Sequence, residues 1–346
     1  MTKNYQAVFV THLPSFYKIN LYNALAESLD IFVIFIGESS SLRASDFTQQ
    51  QKNFDFIILN HLNFEKRNKL SSCLAAVKLL RKIKFNKLIL GGWDLPEYWL
   101  FSLLCLKKKN CLALESSIYE SQDRGVKKTI KSMFLKRIST IFYSGTPHLQ
   151  LIENLGFQGQ ALKTLGVGLT HYQPRQQIDA GLKGRFLYVG RLSEEKNLKF
   201  LLDAFRKLPD YRLTLIGDGP QRAKLMQDIP NNVQILGHIP HVELAQYYQK
   251  HDVFILPSIR EPWGLVIEEA LYYHLPIIAS DRVGASIDLV LNPQTGVLFD
   301  PMDEASFLEA MIEMTKNYQL FYNNAQNFDF ELRDQSQVQS YLEALQ

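Results

Sequence analysis

A chain of 346 residues with 46% apolar and 21% charged residues is long enough for two domains of ordinary size, each burying its own core. No apolar run approaches the roughly 18 residues of a spanning helix, and MTKNYQAVFVTHLP enters a strand and a turn, not a signal-peptide core; a cytoplasmic protein is expected. The net charge of +3 hides a division: residues 1–170 carry 22 Lys and Arg against 12 Asp and Glu, residues 171–346 carry 16 against 23, and such asymmetry suggests that one half meets an anionic surface.

In the first half, apolar runs predict strands at Ala7–Val10, Ile31–Ile36, Phe54–Leu59, Leu88–Leu90, Cys111–Leu114 and Thr140–Tyr143. Helical patterns fall between them, at about Lys18–Leu29, Lys66–Ile83, Leu95–Lys108, Gly125–Ile138 and Thr146–Leu155. The alternation predicts a parallel sheet with helices on both faces, a Rossmann-like domain over residues 1–170 whose ligands bind at the carboxyl ends of its strands. The loops at those ends are Thr11–Tyr17, Gly91–Pro96 and Glu115–Arg124. No G-x-G-x-x-G follows the first strand, so a nicotinamide enzyme is not expected. Gly91 and Gly92 serve either a ligand or a tight turn. Glu115, just after the fifth strand, is either an acid or base facing a cleft or an ordinary acid near a helix start. Cys73, Cys105 and Cys111 lack metal-ligand spacing and read as reduced, mostly buried thiols.

In VKKTIKSMFLKRISTIF, Val126, Ile130, Met133, Phe134 and Ile138 recur at helical spacing, with Lys127, Lys128, Lys131 and Arg137 largely to the side. Two readings stand. Either the apolar stripe packs on the sheet and the lysines are its solvated face, or the helix rests on an anionic membrane surface. No nucleic-acid motif is present, and nucleic acid is not expected as a partner.

Residues 171–184, poor in large apolar side chains and rich in Gly, Pro and polar groups, read as a linker. A second alternating series occupies 185–346, and its last helix can return to the first domain. Strands are expected near Phe186–Val189, Arg212–Ile216, Val233–Leu236, Val253–Leu256, Pro276–Ala279 and Val297–Phe299. Helices fit at about Asn197–Lys207, Gln221–Gln227, Val242–Lys250, Trp263–Tyr273 and Ser306–Asn317.

The strand ends of this half carry related chemistry. Gly190 opens a turn after which Arg191 offers a fork to phosphate oxygens and Lys196 a point charge, a pair suited to a diphosphate; surface ion pairing is the plainer alternative. Gly217-Asp218-Gly219-Pro220 is a turn that brings backbone close to a ligand. Gly237 opens a loop where His238 and Ile239 could lie against a base. Between Leu256 and Ser280, Glu261 lies in a loop and Glu269 in the helix that follows. Trp263, Gly264, Leu265 and Val266 offer first-turn N–H groups to a phosphate. Taken alone, the two glutamates read more readily as a solvated loop acid and an exposed helix residue; their context shifts the balance.

GRLSEEKN at 190–197, GDGP at 217–220, NVQILGHIPHVELAQYYQKHDVFILPS at 232–258 and REPWGLVIEEAL at 260–271 together resemble the retaining glycosyltransferases of family 4. The resemblance covers most of 184–300. It implies the α/β GT-B fold, two Rossmann-like domains facing each other across a cleft, and sugar transfer from a nucleoside diphosphate donor with retention. LPSFYKINLYNAL at 13–25 weakly resembles members that build bacterial surface polysaccharides. By this resemblance Arg191 and Lys196 bind the donor diphosphate, Glu261 lies near the sugar, and Glu269 accepts hydrogen bonds from the ribose. Gly264 permits the turn that aims the N–H groups of Leu265 and Val266 at the phosphates. Neither metal nor cofactor is expected; the sugar nucleotide is a substrate, with UDP favoured over GDP.

The acceptor is expected to be a glycan or lipid-linked glycan, at the inner face of the cell membrane. Two departures concern the first domain. Leu13-Pro14-Ser15-Phe16-Tyr17 replaces a Gly-rich loop, and Glu115 stands where many relatives offer a histidine near the reacting sugar. Tyr17, Trp93 and Glu115 are the acceptor-side candidates. Within the same fold, an epimerase, a glycan phosphorylase or a non-catalytic sugar-nucleotide-binding subunit are the alternatives.

Overall fold

The computed structural model describes residues 3–40, 50–61, 63–120, 125–170, 172–173 and 181–345. The chain divides into two compact units, residues 1–171 with 331–346, and residues 172–330. Of the segment read as a linker, 171 and 174–180 lie outside the described residues, as do 121–124 of the loop after Glu115.

The first unit is built on β1 (Asn4–Thr11), β2 (Ile31–Phe35), β3 (Asp55–Ile58), β4 (Lys84–Leu90), β5 (Asn110–Leu114), β6 (Thr140–Tyr143) and β7 (Gln160–Lys163). All pair in parallel, in the order β3-β2-β1-β4-β5-β6-β7. Parallel neighbours need crossovers, and the helices α1 (Phe16–Ala26), α2 (Lys69–Leu80), α3 (Pro96–Leu104), α4 (Gly125–Leu135) and α5 (Thr146–Asn154) fall between strands. Alternate residues of β1 feed different cores, as the period of a strand requires. Val8 and Val10 pack with Tyr98 and Phe101 of α3, Phe134 of α4 and Leu151 of α5. Ala7 and Phe9 pack with Ile19, Tyr22 and Leu25 of α1 and with Tyr341 and Leu345 from the helix at Phe330–Leu345.

The second unit holds β8 (Arg185–Val189), β9 (Arg212–Ile216), β10 (Val233–Gly237), β11 (Val253–Leu256), β12 (Ile277–Ser280) and β13 (Gly296–Phe299). They are parallel, in the order β10-β9-β8-β11-β12-β13. Between them run α6 (Leu198–Arg206), α7 (Arg222–Met226), α8 (His241–Lys250) and α9 (Leu265–Tyr272), followed by α10 (Glu304–Gln326) and then α11 (Phe330–Leu345). Every residue of β11 and β12 is buried, the mark of a parallel strand covered on both faces.

Two expectations are corrected, and two further features go beyond what the sequence shows. β7 was not foreseen; its text, QALK, is mostly exposed and lacks an apolar run. The helix expected from Trp263 starts at Leu265, because Gly264 takes a left-handed φ of 101°. The helix expected to stop at Asn317 breaks there (φ −111°, ψ 17°) but resumes to Gln326. The first turn and a half of α4, which the sequence leaves open between packing on the sheet and resting on an anionic surface, is exposed on every side; only Phe134 and Leu135 of this helix are buried.

Candidate functional site

In each sheet the strand order reverses at one place, β1/β4 in the first unit and β8/β11 in the second. Crevices outside the carboxyl ends of strands at such switch points are where open α/β sheets bind ligands.

At the second switch point β8 leads into Gly190–Asn197 and β11 into the loop at 257–264. The two segments are tied together, since Ile259 N donates to Glu195 O at 2.9 Å. Lys196 Nζ then forms a charge-assisted hydrogen bond with Glu261 Oε2, and Ser258 Oγ lies 3.4 Å from the same oxygen. The Glu261 segment is held in turn by Gly284 N, which donates to Glu261 O at 3.0 Å. Arg191 is exposed and has no ion pair among the described residues.

Gly264 turns the chain sharply into α9. A Cβ there would lie 3.1 Å from Val283 Cγ1. The turn leaves the Leu265 and Val266 N–H groups at the head of the helix without intrahelical acceptors. Trp263, expected with Gly264 to offer further N–H groups, lies ahead of the helix with its ring buried and its indole N–H donating to the buried Glu268.

Glu269 sits four residues after Leu265, about 6 Å along the axis. Tyr248 Oη donates to Glu269 Oε2 at 2.8 Å, and His241 Nε2 lies 3.4 Å from Oε1. Burial, reinforced by the Glu269 charge, raises the Tyr248 pKa well above its ordinary value, so the phenol stays a donor. Both partners were missed in the sequence, where they read as ordinary residues of a helix 21 and 28 positions away from Glu269.

The glycines of the second turn also have an office within the chain. A Cβ on Gly217, whose φ is 139°, would lie 1.9 Å from Gly190 O, and one on Gly219 would lie 2.5 Å from Leu192 O. Leu192 N donates to Asp218 O, and Gln221 N to Leu192 O, each at 2.9 Å. These glycines let two backbone turns pack on each other and so hold the Arg191 turn. Gly237 O accepts from Gly217 N at 2.8 Å, which sets the end of β10 beside this pair, with His238 exposed and Ile239 half-buried after it.

At the first switch point, Gly91 N donates to Val10 O at 2.9 Å and brings the ends of β4 and β1 together. His12 follows β1, with Nε2 2.9 Å from Asp94 Oδ2 and Nδ1 3.0 Å from the Tyr98 hydroxyl. Burial works to raise the Asp94 pKa, but the hydrogen bond and charge of His12 outweigh it and hold the carboxyl below its ordinary range. The sequence reading passed over His12 because its partners lie more than eighty residues away.

Glu115 is bound by Lys18, Nζ to Oε1 2.6 Å, and Lys18 also donates to Thr11 Oγ1 at 3.0 Å. Burial disfavours the Lys18 charge, yet Glu115 beside it overcomes that and raises the ammonium pKa. A cavity of about 20 Å³ lined by Lys18, Tyr22, Gly91, Ala113 and Glu115 has room for a water beside the pair. Tyr17 borders Lys18. The Trp93 ring lies under Lys131 of α4, 5.5 Å away, and its carbonyl accepts from Trp99 Nε1. Among the described residues no group of three or more His, Cys, Asp or Glu side chains is placed to hold a metal ion.

Residues 174–329, just under half of the chain, match the family model of the glycosyl transferases group 1. Sulfoquinovosyl transferase SQD2 of Arabidopsis thaliana is 39% identical over 34% of this chain and 24% of its own length. Glycogen synthase of Mycobacterium tuberculosis is 34% identical over 36% of this chain and 32% of its own. The chain thus spans a third or less of these relatives. Among solved structures, Anabaena HepE in complex with UDP and glucose superposes with a TM-score of 0.72 at 15% identity, covering 97% of this chain and 99% of that one. Sucrose-phosphate synthase from Thermosynechococcus elongatus gives 0.71 at 18%, covering 97% and 98%. The chain has the GT-B fold. Its second unit is similar in sequence to group 1 glycosyl transferases over nearly its whole length.

Proposed function

We propose that the protein is a retaining glycosyltransferase that moves a sugar from a nucleoside diphosphate to a hydroxyl of a glycan or lipid-linked glycan. The observation that carries this reading is the meeting of Lys196, Glu261 and the head of α9 at one switch point, with Arg191 on the same turn as Lys196. Two cations and a helix N-terminus oppose the negative charge that grows on a departing diphosphate. Arg191 and Lys196 bind the phosphates, the N–H groups of Leu265 and Val266 approach them, and Gly264 allows that approach. Glu269, oriented by Tyr248, accepts from the ribose hydroxyls, while His238 and Ile239 border the base. Glu261 faces the transferred sugar.

In the reaction the bond from the anomeric carbon to the diphosphate oxygen breaks. The acceptor oxygen bonds to the same face of that carbon, and its proton passes to the donor phosphate oxygen, so the chemistry needs no protein base. UDP is favoured over GDP, supported by the nucleotide named in the HepE complexes, although relatives named GDP-mannose-dependent alpha-mannosyltransferase keep GDP in the test. Surface-polysaccharide assembly is supported by similarity to TuaC of Bacillus subtilis, named a putative teichuronic acid biosynthesis glycosyltransferase, 30% identical over 38% of this chain. The acceptor-side candidates are Tyr17, Trp93 and Glu115, joined by His12 and Asp94.

The test is release of nucleoside diphosphate from a panel of UDP- and GDP-sugars with lipid-linked acceptors, with the anomeric configuration of the product read by NMR. Arg191→Ala and Glu261→Ala should each lose at least about 100-fold in turnover. Unchanged turnover in both would sink the site assignment, and an inverted product would sink retention.

A further inference from the structure

We propose that α4 and the end of α3 form a surface that docks on an anionic lipid bilayer. The helix α4 is amphipathic, and the first part of its apolar side is left exposed: Val126 is 76% exposed, Ile130 47% and Met133 55%. A helix that merely covered a sheet would bury those residues. Its inner end is held firmly, with Phe134 edge-on to Trp99 at 5.0 Å. Arg137 just beyond it donates to the carbonyls of Ser102 and Cys105. Those bonds bring the end of α4 to the end of α3, where Leu103, Leu104 and Leu106 are also more than half exposed. The apolar surface therefore continues from one helix to the other.

Among the described residues of α4 and the end of α3, its charge is of one sign. Lys127 and Lys128 are exposed on α4, and Lys107 and Lys108 are exposed next to Leu106. Neither 98–114 nor 124–152 contains a single Asp or Glu. Exposed apolar side chains rimmed by lysines, without acids, match the acyl boundary and phosphate headgroups of an anionic leaflet. A nucleic acid would use the lysines and leave the leucines in water; a neutral membrane would leave the lysines without partners.

Co-flotation of the full chain with vesicles tests this without reference to any transferase activity. Binding to phosphatidylcholine vesicles containing about one third phosphatidylglycerol should be strong, weaken in high salt, and be at least tenfold weaker with phosphatidylcholine alone. Lys127→Gln with Lys128→Gln should weaken binding about 30-fold, and Ile130→Ser with Met133→Ser more than tenfold. Lys224→Gln with Lys250→Gln, an equal charge loss on the second unit, should change it less than twofold. The exposed lysine pair keeps the test sound if the apolar pair disturbs folding, which a thermal melt reveals. The proposal is overturned if the wild-type chain shows no preference for anionic vesicles, if both α4 variants bind as well as wild type, or if single-stranded RNA displaces the vesicles and is bound through the same lysines.

Discussion

Lys196 and Glu261 are sixty-five positions apart in sequence and bonded to each other across the β8/β11 switch point, with side chains only 16% and 13% exposed. In the free protein the carboxylate therefore occupies the cation that the proposed donor needs. Glu261→Gln removes that competition. The expectation is a split: UDP binds about tenfold more tightly to the variant, while sugar transfer falls by about 100-fold or more. Calorimetric titration with UDP and a turnover assay measure the two halves, and weaker UDP binding in the variant would contradict the competition.

Glu269 is oriented by a buried phenol, so removing that hydroxyl should be felt by the nucleoside and not by the phosphates. Tyr248→Phe is expected to weaken UDP binding about five- to tenfold and to leave binding of inorganic diphosphate within twofold. Equal losses for both ligands would point to a general disturbance of the unit.

Gly217 carries a structural demand that no side chain satisfies. Gly217→Ala should destabilise the second unit by about 3 kcal/mol or more, because the new methyl group would meet the Gly190 carbonyl and the backbone would be strained at positive φ. Gly181→Ala, with open space around it, should be neutral within about 0.5 kcal/mol. Urea unfolding measures both.

Arg67 and Glu97 form a buried ion pair at 2.9 Å. Burial works to raise the Glu97 pKa, and the hydrogen bonds from Arg67, its own backbone and Ser72 outweigh it, holding the carboxyl below the ordinary 4.5. A carboxylate held down in the folded state contributes stability that is complete above about pH 4.5 and is lost as pH falls through the lowered value. Arg67→Met should cost about 3–5 kcal/mol at neutral pH by leaving Glu97 buried and unpaired. The gap between the variant and the wild type should narrow as the pH is lowered, because Glu97 can then protonate. Melting curves from pH 7 to pH 4 measure it, and a constant gap would contradict the assignment.

The alternating series was legible because apolar runs such as Val253–Leu256 are buried on both faces and bounded by turn residues. The donor-side residues were legible for a related reason: they follow directly on strand ends, where position and chemistry are read together. Partners were not legible. His12 becomes notable only when Asp94 and Tyr98 are beside it, and Glu269 only with Tyr248 and His241. The polar text of α11 conceals its packing: Arg333 and Gln337 are buried, close against Gly166. For α4 the periodicity was plain, but whether the stripe faced sheet or solvent depends on how far the helix projects, which spacing does not encode.

The helix α11 stacks Tyr341 on Phe142, with ring centroids 4.2 Å apart, and delivers Leu345 to a core that begins with Ala7 and Phe9. On the ribosome, the residues that close this core are made only after the whole of the second unit. The earlier-made unit must therefore wait, its sheet partly bare, while the later-made one can finish first. A fragment ending near residue 170 would keep that bare face, and the order of synthesis is the reverse of the order of completion.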